Sequence, residues 1–68
     1  MDYKVQKKDN LFIFDFDTKF EGYEQHIEFI MNEIWKTIIK DYGQSIQYET
    51  MFYSDMETGK LFVEVIVK

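Results

Sequence analysis

Residues 23–42, YEQHIEFIMNEIWKTIIKDY, carry apolar side chains at steps of three and four residues. At about 100° per residue these side chains fall on one helical stripe. The stripe consists of Tyr23, Ile27, Ile30, Ile34 and Ile38, widened by Met31, Trp35 and Tyr42. The spacing predicts one amphipathic helix of about twenty residues. Because such a helix must bury its stripe, the rest of the chain has to supply an apolar surface.

The sequence allows two possible starting points for this helix. Thr18 and Glu21 stand three residues apart and fit a capping box. That start would leave Gly22 in the first turn, at a cost of up to about 1 kcal/mol. A start at Gly22 is the alternative. At the other end, we expect Gly43 to adopt the left-handed conformation that ends many helices.

The segment before the helix is predicted to be a β-hairpin. Residues 3–8 alternate between apolar and polar side chains, the pair DN at 9–10 suits a two-residue loop, and residues 11–17 read LFIFDFD. This loop places Lys4 opposite Asp15, where we expect a cross-strand ion pair. The same register puts the apolar side chains on one face: Tyr3, Val5, Phe12, Phe14 and Phe16.

The segment after the helix predicts a second hairpin, with strands at 45–55 and 60–67. A four-residue loop at 56–59 places Phe52 opposite Val63, whereas a three-residue loop would place it opposite an acidic residue. The same register sets Thr50 opposite Val65 and Tyr48 opposite Val67.

The predicted fold is therefore α+β, with the order β-β-α-β-β in one small domain at 1–68. The second and fourth strands are the most apolar, and charged strands belong at sheet edges. This favours one antiparallel sheet in the order 1-2-4-3 with the helix on one face; the β-grasp order 2-1-4-3 is the alternative. The element order and the ending YSDMETGKLFVEV resemble the immunoglobulin-binding domains of streptococcal protein G. We carry no function over from that resemblance.

Composition limits both the stability and the chemistry of this chain. It has 68 residues, no Cys and one His, so disulfides and thiolate metal sites are excluded. A core of this size supplies roughly 3–5 kcal/mol, and the remaining means of reinforcement are aromatic packing (19% of residues) and self-association. No cofactor motif is present, and we expect none to be bound.

The charge balance is acidic. The chain carries a net charge of −5, and all its cationic residues are Lys, with no Arg. We therefore expect no direct binding to nucleic acid, which favours basic surfaces rich in Arg. The sequence shows no signal peptide and no apolar run near 20 residues, so we expect no membrane association and a cytoplasmic location.

One short motif suggests enzymatic chemistry. Asp15-Phe16-Asp17-Thr18 follows a hydrophobic strand and resembles the D-x-D-x-T motif that opens haloacid-dehalogenase-type phosphotransferases. The resemblance implies Asp15 as nucleophile and magnesium ligand and Asp17 as general acid/base. Lys19 stands where that motif has Thr, and about fifty further residues cannot form the doubly wound domain. We therefore expect a protein that is not an enzyme.

Metal and triad chemistry have little support in the sequence. The carboxylates of Asp15, Asp17, Glu49 and Glu64 are predicted to share the sheet face opposite the helix. Their spacing matches no ion-binding loop, so no metal site is predicted. His26 has no nearby partner for a triad and is expected to be exposed on the helix.

The strongest functional signal is the sheet face that the helix leaves uncovered. One helix covers only one face, yet the predicted registers place apolar residues among the charges on the other. Contiguous apolar patches with a charged rim mark interaction sites. The predicted partner-binding residues are Leu11, Ile13, Met51, Tyr53, Phe62 and Ile66, with Phe29 on the outer side of the helix as a lesser candidate.

We therefore expect a small acidic protein-interaction domain that binds or inhibits a partner protein through this face or an edge strand. One alternative is a homodimer whose open faces pair. Another is an anti-defence inhibitor encoded by a phage or mobile element, acting as an acidic mimic of nucleic acid.

Overall fold

The computed structural model describes residues 2–68, in which a helix packs on one face of an antiparallel sheet. The chain forms β1 (Tyr3–Lys8), β2 (Leu11–Lys19), a 3₁₀ turn (Tyr23–His26), α1 (Ile27–Tyr42), β3 (Tyr48–Ser54) and β4 (Lys60–Val67). The α+β class predicted from the alternation and the helical stripe is confirmed.

The strand order is β1-β2-β4-β3, which confirms the order predicted from the charges of the edge strands. The alternative β-grasp order is not adopted. Both hairpin registers are also as predicted: Tyr3 lies opposite Phe16 and Lys4 opposite Asp15 in the first, and Phe52 lies opposite Val63 in the second.

The core lies between α1 and the sheet. Every fully buried residue of the described chain is apolar and comes from α1, β2 or β4: Phe12, Phe14, Phe16, Ile30, Ile34, Ile38, Leu61, Val63, Val65 and Val67. The helical stripe is narrower than predicted, because Ile27, Trp35 and Tyr42 are at least 36% exposed. The two central strands and three isoleucines thus provide most of the packing.

The start of the helix differs from the capping-box prediction. Thr18 still belongs to β2, and Gly22 (φ 85°, ψ 10°) precedes the 3₁₀ turn. Between the pairs Asp15–Phe62 and Lys19–Lys60, β2 contains two more residues than β4. This irregularity extends β2 to the position where a cap was expected.

Two polar contacts attach β1 to α1. The Tyr3 hydroxyl donates to Glu33 Oε1 at 3.0 Å, and Lys7 Nζ lies 3.2 Å from Asp41 Oδ2. Lys7 Nζ also lies 5.0 Å from the centre of the Tyr42 ring and 5.4 Å from that of Phe12. The hydrogen bond to Asp41 is the main cause that raises the Lys7 pKa. Lys7 therefore lies on the helix side of the sheet.

Candidate functional site

The sheet face turned away from α1 carries the predicted partner-binding residues of β2, β3 and β4. We call it the open face. It comprises Lys4, Gln6 and Lys8 on β1, Leu11, Ile13 and Asp15 on β2, Phe62, Glu64 and Ile66 on β4, and Glu49, Met51 and Tyr53 on β3. Its ends carry Asp2, Asp17, Lys19, Asp55, Lys60 and Lys68. Side chains alternate along each strand, so residues opposite those of the core face point here.

Cross-strand neighbours connect the apolar side chains of the open face into one patch. Leu11 lies opposite Ile66 and Tyr53 lies opposite Phe62, while Ile13 sits diagonally between Phe62 and Ile66. Met51 borders the patch opposite Glu64. The structure therefore brings together all six residues that the sequence places on this face.

The patch is partly accessible to solvent. Met51 is 57% exposed and Ile66 is 42% exposed, whereas Leu11, Ile13, Tyr53 and Phe62 are half-buried. On β2 and β4 the side chains directed toward α1 are almost completely buried. Apolar surface is thus covered on one side of β2 and β4 and uncovered on the other.

Two aromatic rings give the patch a rigid centre. The rings of Tyr53 and Phe62 stack with centroids 5.7 Å apart and an interplanar angle of 19°. Partial burial raises the pKa of the Tyr53 phenol, and the carboxylates of Glu64 and Asp55 raise it further. Tyr53 is therefore a neutral, flat contact surface with one polar end.

Charged residues surround this patch, and some are already paired. Lys68 Nζ lies 2.6 Å from Glu49 Oε1, and Lys60 Nζ lies 3.8 Å from Asp17 Oδ1. The predicted ion pair between Lys4 and Asp15 does not form, although the two residues are direct cross-strand partners. Exposed ends of long lysine side chains lose conformational entropy on pairing, so register alone does not ensure a contact.

The aspartates of the phosphotransferase-like motif lie at one end of the open face. They border a shallow groove lined by Asp2, Tyr3, Lys4, Asp15, Asp17 and Lys60. Lys60 approaches Asp17, and Lys4 is the cross-strand partner of Asp15. Within residues 2–68, no group of three His, Cys, Asp or Glu side chains could hold a metal ion together.

Phe29 lies apart from the open face, on α1. Its side chain is 39% exposed; Glu28 before it is exposed as well, whereas Ile30 after it is buried in the core. The helix separates it from the sheet, so it cannot extend the open face. Phe29 is one exposed aromatic with no apolar surface continuous with the predicted patch.

The sequence interpretation placed Lys4 opposite Asp15 but did not include Lys8 or the other lysines that frame the open face. Lys8 closes a row of four neighbours, Lys8–Leu11–Ile66–Glu49, which crosses the whole sheet. The signal was the alternation of β1, which places Lys4 and Lys8 on this side and Lys7 on the helix side. The two edge strands of the open face consequently differ in charge.

Comparison with known proteins gives no relative: no protein-family model, curated protein or solved structure matches this chain. In the part of the chain that the structure describes, no helix combines the length and hydrophobicity needed to cross a membrane.

Proposed function

We propose that this protein is a non-enzymatic protein-interaction domain that binds a partner protein through its open face. We also propose the cytoplasm as its location, since the chain contains no cysteine for disulfide formation. Inhibition of the partner is the consequence we propose for binding by so small a domain.

The observation that supports this function is an uncovered apolar patch on a sheet whose other face is filled. Phe62 and Ile66 alternate along β4 with Val63 and Val65, which are completely buried. Patches of this kind, surrounded by charge, are typical of binding surfaces. Stacked, stiff aromatics such as Tyr53 and Phe62 lose little conformational entropy when they are covered.

The test is affinity capture with variants of the open face. The tagged protein is incubated with lysate, and captured proteins are compared for wild type, Phe62→Lys and Tyr53→Lys. We expect both substitutions to abolish capture, because each introduces a cation that would have to be desolvated in the interface. Far-ultraviolet circular dichroism verifies that each variant remains folded.

Met56→Lys is the matched control, since Met56 lies in the β3–β4 loop and is 99% exposed. It adds the same charge away from the open face, and we expect capture to be unchanged. A partner that binds wild type, Phe62→Lys and Tyr53→Lys equally well would place the binding surface elsewhere and contradict the proposal. Phe29→Lys, tested in parallel, measures the contribution of the helix.

A second candidate function follows from the acidic surface on the helix side. The segment from the end of β2 to the first turn of α1 is exposed and contains Glu21, Glu24 and Glu28. Asp41 lies near the C-terminal end of α1. We propose that this surface mimics the charge of nucleic acid toward a basic protein. Binding would then weaken steeply as salt rises and would fall in Glu24→Lys, while Phe62→Lys would leave it unchanged.

A further inference from the structure

The open face is close to electrical balance, whereas the rest of the surface is strongly acidic. The face carries five lysines and six carboxylates: Lys4, Lys8, Lys19, Lys60 and Lys68, with Asp2, Asp15, Asp17, Glu49, Asp55 and Glu64. The face therefore contributes −1 to the net charge of −5 of the whole chain, and the remaining surface contributes −4. Two copies can approach each other through this face with a smaller charge penalty than through the acidic remainder of the surface.

The two edges of the open face carry opposite charges. On β1 its charged side chains are Lys4 and Lys8, whereas on β3 its charged side chain is Glu49, which also contacts Lys68 Nζ at 2.6 Å. On β4, next to β3, Glu64 has no cation within ion-pair distance among the described residues. Two copies of a surface with one positive and one negative edge are complementary when the positive edge of each copy lies over the negative edge of the other.

We infer that the partner of the open face is a second copy of this chain, related by a two-fold axis parallel to the strands. This inference rests on the proposed function. Two sheets packed face to face lie about 10 Å apart with their strands aligned to within roughly 30°. An axis parallel to the strands places β1 of each copy over β3 of the other. An axis perpendicular to the strands would place β1 over β1 and is disfavoured by the repulsion between lysines.

This symmetry makes definite pairs in the row Lys8–Leu11–Ile66–Glu49. Across the interface this row lies opposite the same row of the second copy, in reverse order. Lys8 therefore approaches Glu49 of the second copy, and Leu11 approaches Ile66 of the second copy.

In the row Lys4–Asp15–Phe62–Tyr53, the same axis brings Lys4 of the second copy over the Tyr53 ring, an arrangement suited to a cation–π contact. In the row between these two, Ile13 comes over Glu64 of the second copy. Each contact occurs twice, and both apolar faces of the sheet are then covered. Dimerisation also reinforces a core that is small for a free domain.

The test is a charge exchange between Lys8 and Glu49, measured by sedimentation velocity over a dilution series from micromolar to several hundred micromolar. Wild type is expected to dimerise. Lys8→Glu and Glu49→Lys are each expected to raise the dimer Kd about tenfold, because each substitution replaces two attractive contacts by two repulsive ones. The double variant Lys8→Glu/Glu49→Lys is expected to restore the wild-type Kd.

Net charge is controlled by Lys40→Glu and Glu24→Lys, which make the same charge changes on exposed parts of the helix side and should leave the Kd unchanged. Wild type that stays monomeric overturns the inference. The proposed function still stands in that case if capture of a foreign protein depends on Phe62. A dimer that Phe62→Lys disrupts, but whose single charge variants are not rescued by the double variant, overturns the proposed axis.

Discussion

Isoleucines of α1 differ in burial according to their position on the helix. Ile30, Ile34 and Ile38 are completely buried, while Ile27 begins the same helix and is 36% exposed. The four side chains are chemically identical. They therefore allow the effect of burial to be measured with one substitution at several sites.

We expect Ile34→Val to lower the free energy of unfolding by about 0.5–1.5 kcal/mol, because it leaves a methyl-sized cavity in a packed core. Ile27→Val removes the same group from a site that water already reaches, and we expect an effect below about 0.5 kcal/mol. Urea unfolding followed by circular dichroism measures both values. Equal losses at the two sites would contradict the described position of the helix on the sheet.

The β3–β4 loop contains a carboxylate with a lowered pKa. The Thr58 hydroxyl donates to Asp55 Oδ2 at 2.6 Å, and this hydrogen bond is the main cause that lowers the Asp55 pKa. Backbone N–H groups of Glu57 and Thr58 and the charge of Lys60 act in the same direction. Because the pKa is lower in the folded state, the resulting stabilisation is present above pH about 4 and is lost as pH falls through the folded pKa.

We expect Thr58→Ala to raise the Asp55 pKa toward its ordinary value, since the largest stabilising contact of the carboxylate is removed. Thr58→Ser retains the hydroxyl and should retain most of the shift. Carboxyl carbon chemical shifts of Asp55, recorded against pH, give the pKa in each protein. An unchanged pKa in Thr58→Ala would assign the shift to the backbone and Lys60 instead.

At the scale of the elements, two glycines bound the helical segment in different backbone conformations. Gly22 has φ 85° and ψ 10°, which is left-handed helical geometry. Gly43 has φ 88° but ψ 172°, so it ends α1 outside the left-handed region expected from the sequence. A Cβ atom at either position would meet no atom within 4 Å. Any cost of substitution therefore comes from the backbone alone.

Asparagine at these two positions should have different effects. Gly22→Asn is expected to cost less than about 1 kcal/mol, because Asn tolerates the left-handed region. Gly43→Asn is expected to cost about 1–3 kcal/mol, because the conformation of Gly43 is essentially restricted to glycine. Chemical denaturation compares them. A larger loss at Gly22 than at Gly43 would contradict the described end of α1.

The sequence predicted the hairpins well because side chains alternate along a strand with a period of two, so a one-residue slip in register would turn every core side chain outward. In β4, Val63, Val65 and Val67 alternate with Phe62 and Ile66, and the observed register buries the valines. The helix boundary was predicted less well, because the irregularity in β2 depends on pairing with β4, which local sequence does not encode. β3 begins at Tyr48, three residues later than expected, because its pairing with β4 begins there, opposite Val67.

The part of the candidate site that follows from the alternation of side chains along each strand was predictable from the sequence. All six apolar residues of the open face lie where the strand pattern placed them. The lysine contacts were not predictable: Lys60 pairs with Asp17, and Lys68 with Glu49, while Lys4 and Asp15 remain apart. A flexible lysine side chain can reach several carboxylates with similar energy, so the contact it makes depends on the three-dimensional arrangement rather than on the register alone.

For the whole molecule, the strand order predicts how stability is distributed. β2 and β4 are hydrogen-bonded on both sides and bury every second side chain, whereas β1 is an edge strand whose residues are exposed except for Tyr3. Two polar contacts connect β1 to the helix: the hydrogen bond from Tyr3 to Glu33 is partly buried, and the ion pair between Lys7 and Asp41 is exposed. One hydrogen bond adds about 1 kcal/mol to stability, and an exposed ion pair adds less.

We therefore expect native-state amide exchange to divide the sheet into two groups. Amides of Phe14 and Val63 should exchange only through global unfolding, so their exchange should accelerate with urea as strongly as unfolding itself. The amide of Gln6, whose pair with Ile13 is hydrogen-bonded, should exchange through local opening of β1, faster and with little dependence on urea. The comparison also tests the strand order directly, since the β-grasp order would place β1 in the centre of the sheet. In that order Gln6 would be protected as strongly as Val63, and such a result would contradict the described fold.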